Sequence, residues 1–167
     1  MNNKTARLIG SFLTVGRMRP APGTWGSLAA LPAAYALHII GGFWLLLVCT
    51  VAAFFIGWKA TQIITADEDE DHDPSWIVID EVVGMWIALF PVSYGAIMMD
   101  IGVHRLWPGW IAGFVLFRLF DISKPWIVGK ADRLGTPLGV MLDDVFAGLF
   151  AALGAIILAS IYHGVMM

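Results

Sequence analysis

From Pro20 to Trp58 the chain carries no Asp, Glu, Lys or Arg, and this restricts its architecture more than any motif does. At about 1.5 Å per residue, one helix through the stretch would run to nearly twice the ~30 Å hydrocarbon core of a bilayer. Gly41-Gly42 falls near its middle and divides it into two helical candidates, roughly 25–40 and 43–58. Further candidates are 82–99, 106–120 and 145–162. Segments of 14 to 18 residues reach only about 21 to 27 Å, so some are expected to be half-inserted or to start earlier. The fold expected is all-α: a polytopic helical membrane bundle of four to five spans, five being the preferred count. It forms one domain, 1–167, with 1–20 as a cytoplasmic N-terminal segment.

Composition agrees with a membrane setting. The chain is 59% hydrophobic and only 14% charged, where soluble domains carry about a quarter charged residues. Mean hydropathy is +0.77. Eight Trp and ten Phe suit the headgroup region, which favours aromatic side chains. A net charge of −3 argues against nucleic acid as a partner. No cleavable signal segment is predicted at the N-terminus. Cys49 is the single cysteine; set in an apolar run, it reads as a packing residue rather than a nucleophile.

The charges that remain fall at the mouths of apolar segments. Met141-Leu142-Asp143-Asp144 precedes a charge-free run from Val145 to Met167, and Asp80-Glu81 precedes Val82 to Met99. Adjacent carboxylates at a membrane surface repel when both are ionised, and a divalent cation is the simplest thing that makes such a pair favourable. The competing reading is helix-dipole chemistry in a first turn, worth about 1 kcal/mol or less, which accounts for one acid more easily than two. Each pair is followed by a glycine about one turn on, Gly84 and Gly148, where a missing side chain lets a headgroup or another helix approach. Neighbouring residues on a helix point about 100° apart, so one acid of the second pair is expected to bind and the other to orient a neighbour.

Arg118, Asp121 and Lys124 spiral slowly along one side of a helix that Pro125 should end. Two readings stand: an ion-pair ladder with snorkelling, or phosphate contacts, bidentate from Arg and point-charge from Lys. Pro22-Gly23-Thr24-Trp25-Gly26-Ser27 opens the first apolar helix. Thr24 and Ser27 are either ordinary N-caps or, with the backbone N–H groups, part of a phosphate site. The acidic stretch 67–73 with His72 reads as a solvated loop, from which Asp73 is a further candidate for the site. His38, His104 and His163 read as structural or interfacial. No cysteine-phosphatase loop, Gly-x-Ser-x-Gly elbow, histidine-phosphatase Ser-Gly-His or Asp-Gly-x-x-Ala-Arg phosphotransferase signature occurs. The pattern fits a metal-dependent site for a phosphorylated substrate. A small cation transporter or channel using the same intramembrane acids, or a phospholipid headgroup phosphotransferase, is the alternative.

Four segments in order resemble the phosphatidylglycerophosphatase A family. They are Pro22–Leu28, Ile79–Trp86, Phe117–Trp126 and Met141–Gly148, within about residues 10 to 160. The resemblance implies Mg²⁺-dependent hydrolysis of phosphatidylglycerol phosphate to phosphatidylglycerol and inorganic phosphate, at the cytoplasmic face of a bacterial inner membrane. It implies catalytic and metal-binding roles for Asp80, Glu81, Asp121, Asp143 and Asp144, and phosphate binding by Arg118 and Lys124. The family often has a second proline after Lys-Pro-Trp, where this chain has Ile127.

Orientation follows from the basic residues. With five crossings, Lys4, Arg7, Arg17, Arg19, Lys59, Arg118, Lys124, Lys130 and Arg133 share one side and only Arg105 lies on the other. The positive-inside rule puts the first side in the cytoplasm, together with every motif above. Cysteines introduced singly at Ser75 and Thr136, in a Cys49→Ser background, should therefore resist impermeant thiol reagents in intact cells and react in inverted vesicles. Labelling from outside intact cells would overturn the topology.

Overall fold

The computed structural model describes residues 1–66 and 74–166, with side chains through Tyr162. Asp67 to Asp71, His72 and Asp73 lie outside the described residues, as does the side chain of His163. The order is α1 (Asn3–Gly10), α2 (Pro22–Ile64), α3 (Ile79–Ala88), α4 (Phe90–Met98), α5 (Trp107–Ser123), α6 (Ile127–Asp132) and α7 (Pro137–Met166). Four stretches are long and apolar enough to cross a membrane: Pro22–Ile64, Ile79–Met98, Val103–Ser123 and Pro137–Tyr162.

The first of these is two arms, not one rod. Gly26 packs against Val78, where a Cβ would come within 2.7 Å, and Gly57 packs against Ile79, at 3.0 Å. A straight helix would hold Gly26 and Gly57 about 46 Å apart. The reversal falls at Gly41-Gly42, where Gly42 has φ +65° and ψ −158°, a conformation that glycine alone adopts at no steric cost. The expected division at this dipeptide is what the backbone does.

Next in the chain comes the central helix of the bundle. Val82, Val83, Met85, Ala88 and Leu89 of the α3 region are all buried. Pro91 lies in the first turn of α4 and removes one backbone donor, so the helix breaks at Leu89. Two polar contacts tie this unit to the first arm of α2. The Trp86 indole N–H donates to the Ala30 carbonyl at 3.0 Å, and His38 Nδ1 lies 2.7 Å from Ser93 Oγ. Such bonds between helices are worth on the order of 1 kcal/mol in lipid. Outward faces are apolar: Ile39, Ile40, Trp44, Val48, Ile111, Val115, Ile156 and Ile157 are exposed, as a lipid-facing surface requires.

The start of the last helix differs from the sequence expectation. Helix α7 begins at Pro137, not near Val145, so Asp143 and Asp144 lie about two turns inside it. The start signal is Thr136, whose Oγ1 accepts from Gly139 N at 3.1 Å, followed by proline at the first helical position. The short helices α1 and α6 are additions. Between α1 and α2, Phe12, Leu13 and Thr14 all have positive φ (43°, 57° and 78°), a conformation costing roughly 1–2 kcal/mol per residue. Ser11 supports them: its Oγ accepts from Thr14 N at 3.1 Å and its carbonyl from Gly16 N at 2.9 Å.

Helices α3 and α7 meet at two glycines. A Cβ on Gly84 would come 2.5 Å from the Asp144 carbonyl and from Phe117, and one on Gly148 would overlap the Gly84 carbonyl. Backbone cannot yield as a flexible side chain can. Gly148→Ala should therefore lower stability by about 1–3 kcal/mol, the usual cost of overpacking, read as a lower thermal midpoint in detergent. Gly95→Ala, whose added methyl meets nothing closer than Met99 Cε at 3.6 Å, should leave it unchanged. Equal midpoints for the two variants would refute the tight crossing.

Candidate active site

One turn from the glycine contact, the acids of the two helices face each other. Asp80 and Glu81 occupy the first turn of α3, and Asp144 lies one turn before Gly148. One carboxylate oxygen from each of Asp80, Glu81 and Asp144 lies within 4.8 Å of the others. Glu81 Oε2 and Asp144 Oδ1 are buried and have no hydrogen-bond partner among the described residues. Two unit charges at that separation repel by roughly 3.5 kcal/mol at an effective dielectric constant of 20, and each unsatisfied buried oxygen adds a desolvation cost.

This set fits a divalent cation. Octahedral Mg²⁺ holds oxygens at about 2.0–2.1 Å, so opposite ligands stand about 4.2 Å apart. Small side-chain movements bring oxygens within 4.8 Å of one another onto one ion, and the two orphaned oxygens gain a partner. The first acid of each pair is turned to its own backbone: Asp80 Oδ1 accepts from Glu81 N and Asp143 Oδ1 from Asp144 N, each at 3.0 Å.

The other two acids hold bases. Asp121 Oδ2 lies 2.7 Å from Arg118 Nη1, and Asp143 Oδ2 lies 3.1 Å from Lys124 Nζ. Lys124 also pairs with Asp132, which the sequence reading did not single out. The spacing from Lys124 to Asp132 follows no helical face, because Pro125 and a left-handed Lys124 (φ 43°, ψ 54°) turn the chain between them. Partial burial alone would lower the Lys124 pKa; hydrogen bonds and charge from Asp132 and Asp143 outweigh it and hold it above the ordinary lysine value. Lys124 is thus a permanent cation.

Ser27 is fully buried beneath Arg118. Its hydroxyl donates to the Gly23 carbonyl at 2.9 Å and accepts from Arg118 Nη1 at 3.3 Å. Among the described residues, both Arg118 contacts use Nη1, leaving the Nε and Nη2 donors of a five-donor guanidinium. Thr24, unlike Ser27, lines the cavity. That cavity, of about 260 Å³, is walled by Gly23, Thr24, Asp80, Glu81, Arg118, Asp121, Lys124, Asp143 and Asp144, with Ala21 and Ser75 among its other neighbours. Gly23 sits so close to Glu81 Oε1 that a Cβ there would overlap it, a contact for which the sequence held only the glycine itself. The cavity lies at one end of the bundle, with three carboxylates facing one another and two fixed cations beside them. Such a site can bind a metal ion and an oxyanion together.

Comparison with known proteins places this arrangement. The Phosphatidylglycerophosphatase A family profile matches residues 8–159. A Haemophilus influenzae phosphatidylglycerophosphatase A is 37% identical over 139 residues, 83% of this chain and 78% of that protein. The Escherichia coli phosphatidylglycerophosphatase A is 32% identical over 146 residues, covering 78% of this chain and 70% of its own length. A Bacteroides thetaiotaomicron protein proposed to be a phosphatidylinositol-3-phosphatase is 38% identical over 147 residues, 86% of this chain and 87% of that one. No solved structure matches the chain. With four of its helical stretches able to span a membrane and Asp80, Glu81, Asp121, Asp143 and Asp144 gathered around one cavity, the chain belongs to the phosphatidylglycerophosphatase A family of phosphatases.

Proposed function

We propose that the protein hydrolyses phosphatidylglycerol phosphate to phosphatidylglycerol and inorganic phosphate, with Mg²⁺, at the cytoplasmic face of a bacterial inner membrane. The observation that carries the reading is the facing triad Asp80, Glu81 and Asp144 with two orphaned buried oxygens, set in one cavity with Arg118 and Lys124. The two relatives named as phosphatidylglycerophosphatases support the substrate. All three relatives carry the names of phosphatases acting on phosphorylated phospholipids, which supports the class. Nine of ten Lys and Arg lie on the cavity's side of the five-crossing topology, which supports the orientation.

In this reading Asp80, Glu81 and Asp144 hold the ion. When bound, Mg²⁺ supplies Lewis acidity to a phosphoryl oxygen and to the attacking water. The protein's own groups do the rest. Hydrolysis breaks the bond between phosphorus and the glycerol oxygen; water gives its hydroxyl to phosphorus and its proton to the leaving alkoxide. Arg118 presents Nε and Nη2, and Lys124 its third N–H, to equatorial oxygens whose charge grows in the transition state. Asp121 and Ser27 fix the guanidinium, and Asp132 and Asp143 fix the ammonium. Thr24 and Gly23 line the same cavity. Preorganised donors of this kind cost no reorganisation at the moment of reaction.

Purified protein should release phosphate from phosphatidylglycerol phosphate with Mg²⁺ and stop in chelator. Asp80→Asn, Glu81→Gln and Asp144→Asn should each lower turnover at least roughly 100-fold, the scale of losing a main electrostatic element. Turnover near wild type in chelator would sink the metal. A separate outcome concerns the bases: Asp143→Asn frees Lys124 from one anchor, so KM should rise more than kcat falls. A turnover loss as deep as that of Asp144→Asn, with KM unchanged, would instead put Asp143 among the metal ligands.

A further inference from the structure

We propose that a second, basic cavity beside the acidic one binds the phosphodiester of the same lipid, so that the protein reads a phosphomonoester and a phosphodiester on one molecule. The proposal rests on the lipid-phosphatase reading above and deepens it into a basis for substrate choice. This cavity, of about 530 Å³, is lined by Arg7, Arg17, Arg19, Pro22, Ser75 and Trp76 together with Gly16, Met18 and Pro20. Pro22 and Ser75 also line the acidic cavity, so the two adjoin across one wall. Among the described residues, no acid lines the basic cavity.

The distribution of charge divides the labour. In the acidic cavity each base is held by an acid. Arg17 and Arg19 are exposed, and neither has a carboxylate partner among the described residues. A phosphodiester carries a single negative charge and needs no metal, and arginine forks match its two free oxygens. A phosphorylated glycerol headgroup places its diester one glycerol away from its terminal monoester, and adjoining cavities suit that spacing. Trp76 and Pro22 give the connecting glycerol an apolar wall, and Arg7 lies over the Trp76 ring at 5.5 Å, which steadies it.

The arginines are registered to the triad by backbone. Val78 N donates to the Gly10 carbonyl at 2.8 Å, two residues before Asp80. Gly16 lies so close to the Trp76 carbonyl that a Cβ would overlap it. The left-handed residues Phe12 to Thr14 turn the chain into this position, just ahead of Val15–Arg17. A strained segment held from both sides is a built one.

The test compares two lipids with the same acyl chains, phosphatidylglycerol phosphate and phosphatidic acid, the second carrying a monoester but no diester. The readout is the ratio of their kcat/KM values with purified full-length protein in mixed micelles with Mg²⁺. The double variant Arg17→Gln, Arg19→Gln should shrink the wild-type preference for phosphatidylglycerol phosphate about tenfold or more, and Arg17→Lys, Arg19→Lys should restore part of it. Inhibition by phosphatidylglycerol, which has only the diester, should weaken in parallel, while inhibition by inorganic phosphate should not change. An unchanged ratio, or equal losses on both lipids, would overturn the subsite. Weakened inhibition by inorganic phosphate alone would show a free-phosphate site and overturn it too. A wild-type protein that releases no phosphate from phosphatidylglycerol phosphate would remove the underlying reading, and this one with it.

Discussion

The backbone contact between Gly84 and Gly148 is the constraint on which the rest of the site depends. Inside a bilayer, helices gain nothing from leaving lipid for one another by hydrophobicity alone, so close association needs surfaces that let backbones approach. Here each glycine lies against the other helix's main chain, and Phe117 fills the remaining side from α5. One turn along from this contact stand Asp80 with Glu81 on one helix and Asp144 on the other. A fixed axial separation at the glycines thus becomes a fixed separation between carboxylates. Any side chain at either glycine would widen both together.

That arrangement is held against its own electrostatics. Three carboxylates with oxygens within 4.8 Å of one another, two of them carrying a buried oxygen without a partner among the described residues, oppose the packing that brings them together. The fold tolerates this because close packing of a core that includes many residues between Ile77 and Ala96 holds the helices together. Proteins concentrate such conflicts where chemistry is done, and structure elsewhere absorbs them. Asp121, Asp132 and Asp143 are different in kind. Each faces a base and gives that base a direction.

The same end of the bundle gathers segments far apart in the chain. The N-terminal segment is anchored to the residues preceding α3 through Gly10, Gly16 and Val78, and the first turn of α2 is pressed against Glu81 through Gly23. The acidic and basic cavities therefore share a wall at Pro22 and Ser75, from two separate stretches. Positions of charge in both follow from backbone contacts at small residues, which transmit register more rigidly than long side chains do.

Much of this was legible in the sequence, for identifiable reasons. The charge-free run from Pro20 to Trp58 requires a hairpin of apolar arms, since no single helix of that length fits a bilayer, and the only paired glycines within it mark the turn. Acids at apolar-segment mouths announce a cost that demands a partner. The sequence also carries the order of motifs by which the family is recognised. Other features needed the tertiary structure. Helix α7 starts eight residues before the charge-free run, because Thr136-Pro137 caps it and the acids Asp143 and Asp144 interrupt an otherwise apolar helix without ending it. The five acids divide into three that face one another and two that hold bases; spacing along a chain cannot sort these, since the partners come from different helices. Lys124 finds Asp132 only through a left-handed turn, and Ser27 works beneath Arg118 rather than in the cavity. Local pattern determined which residues carry charge at the membrane surface; only the crossing of helices decided which charges meet.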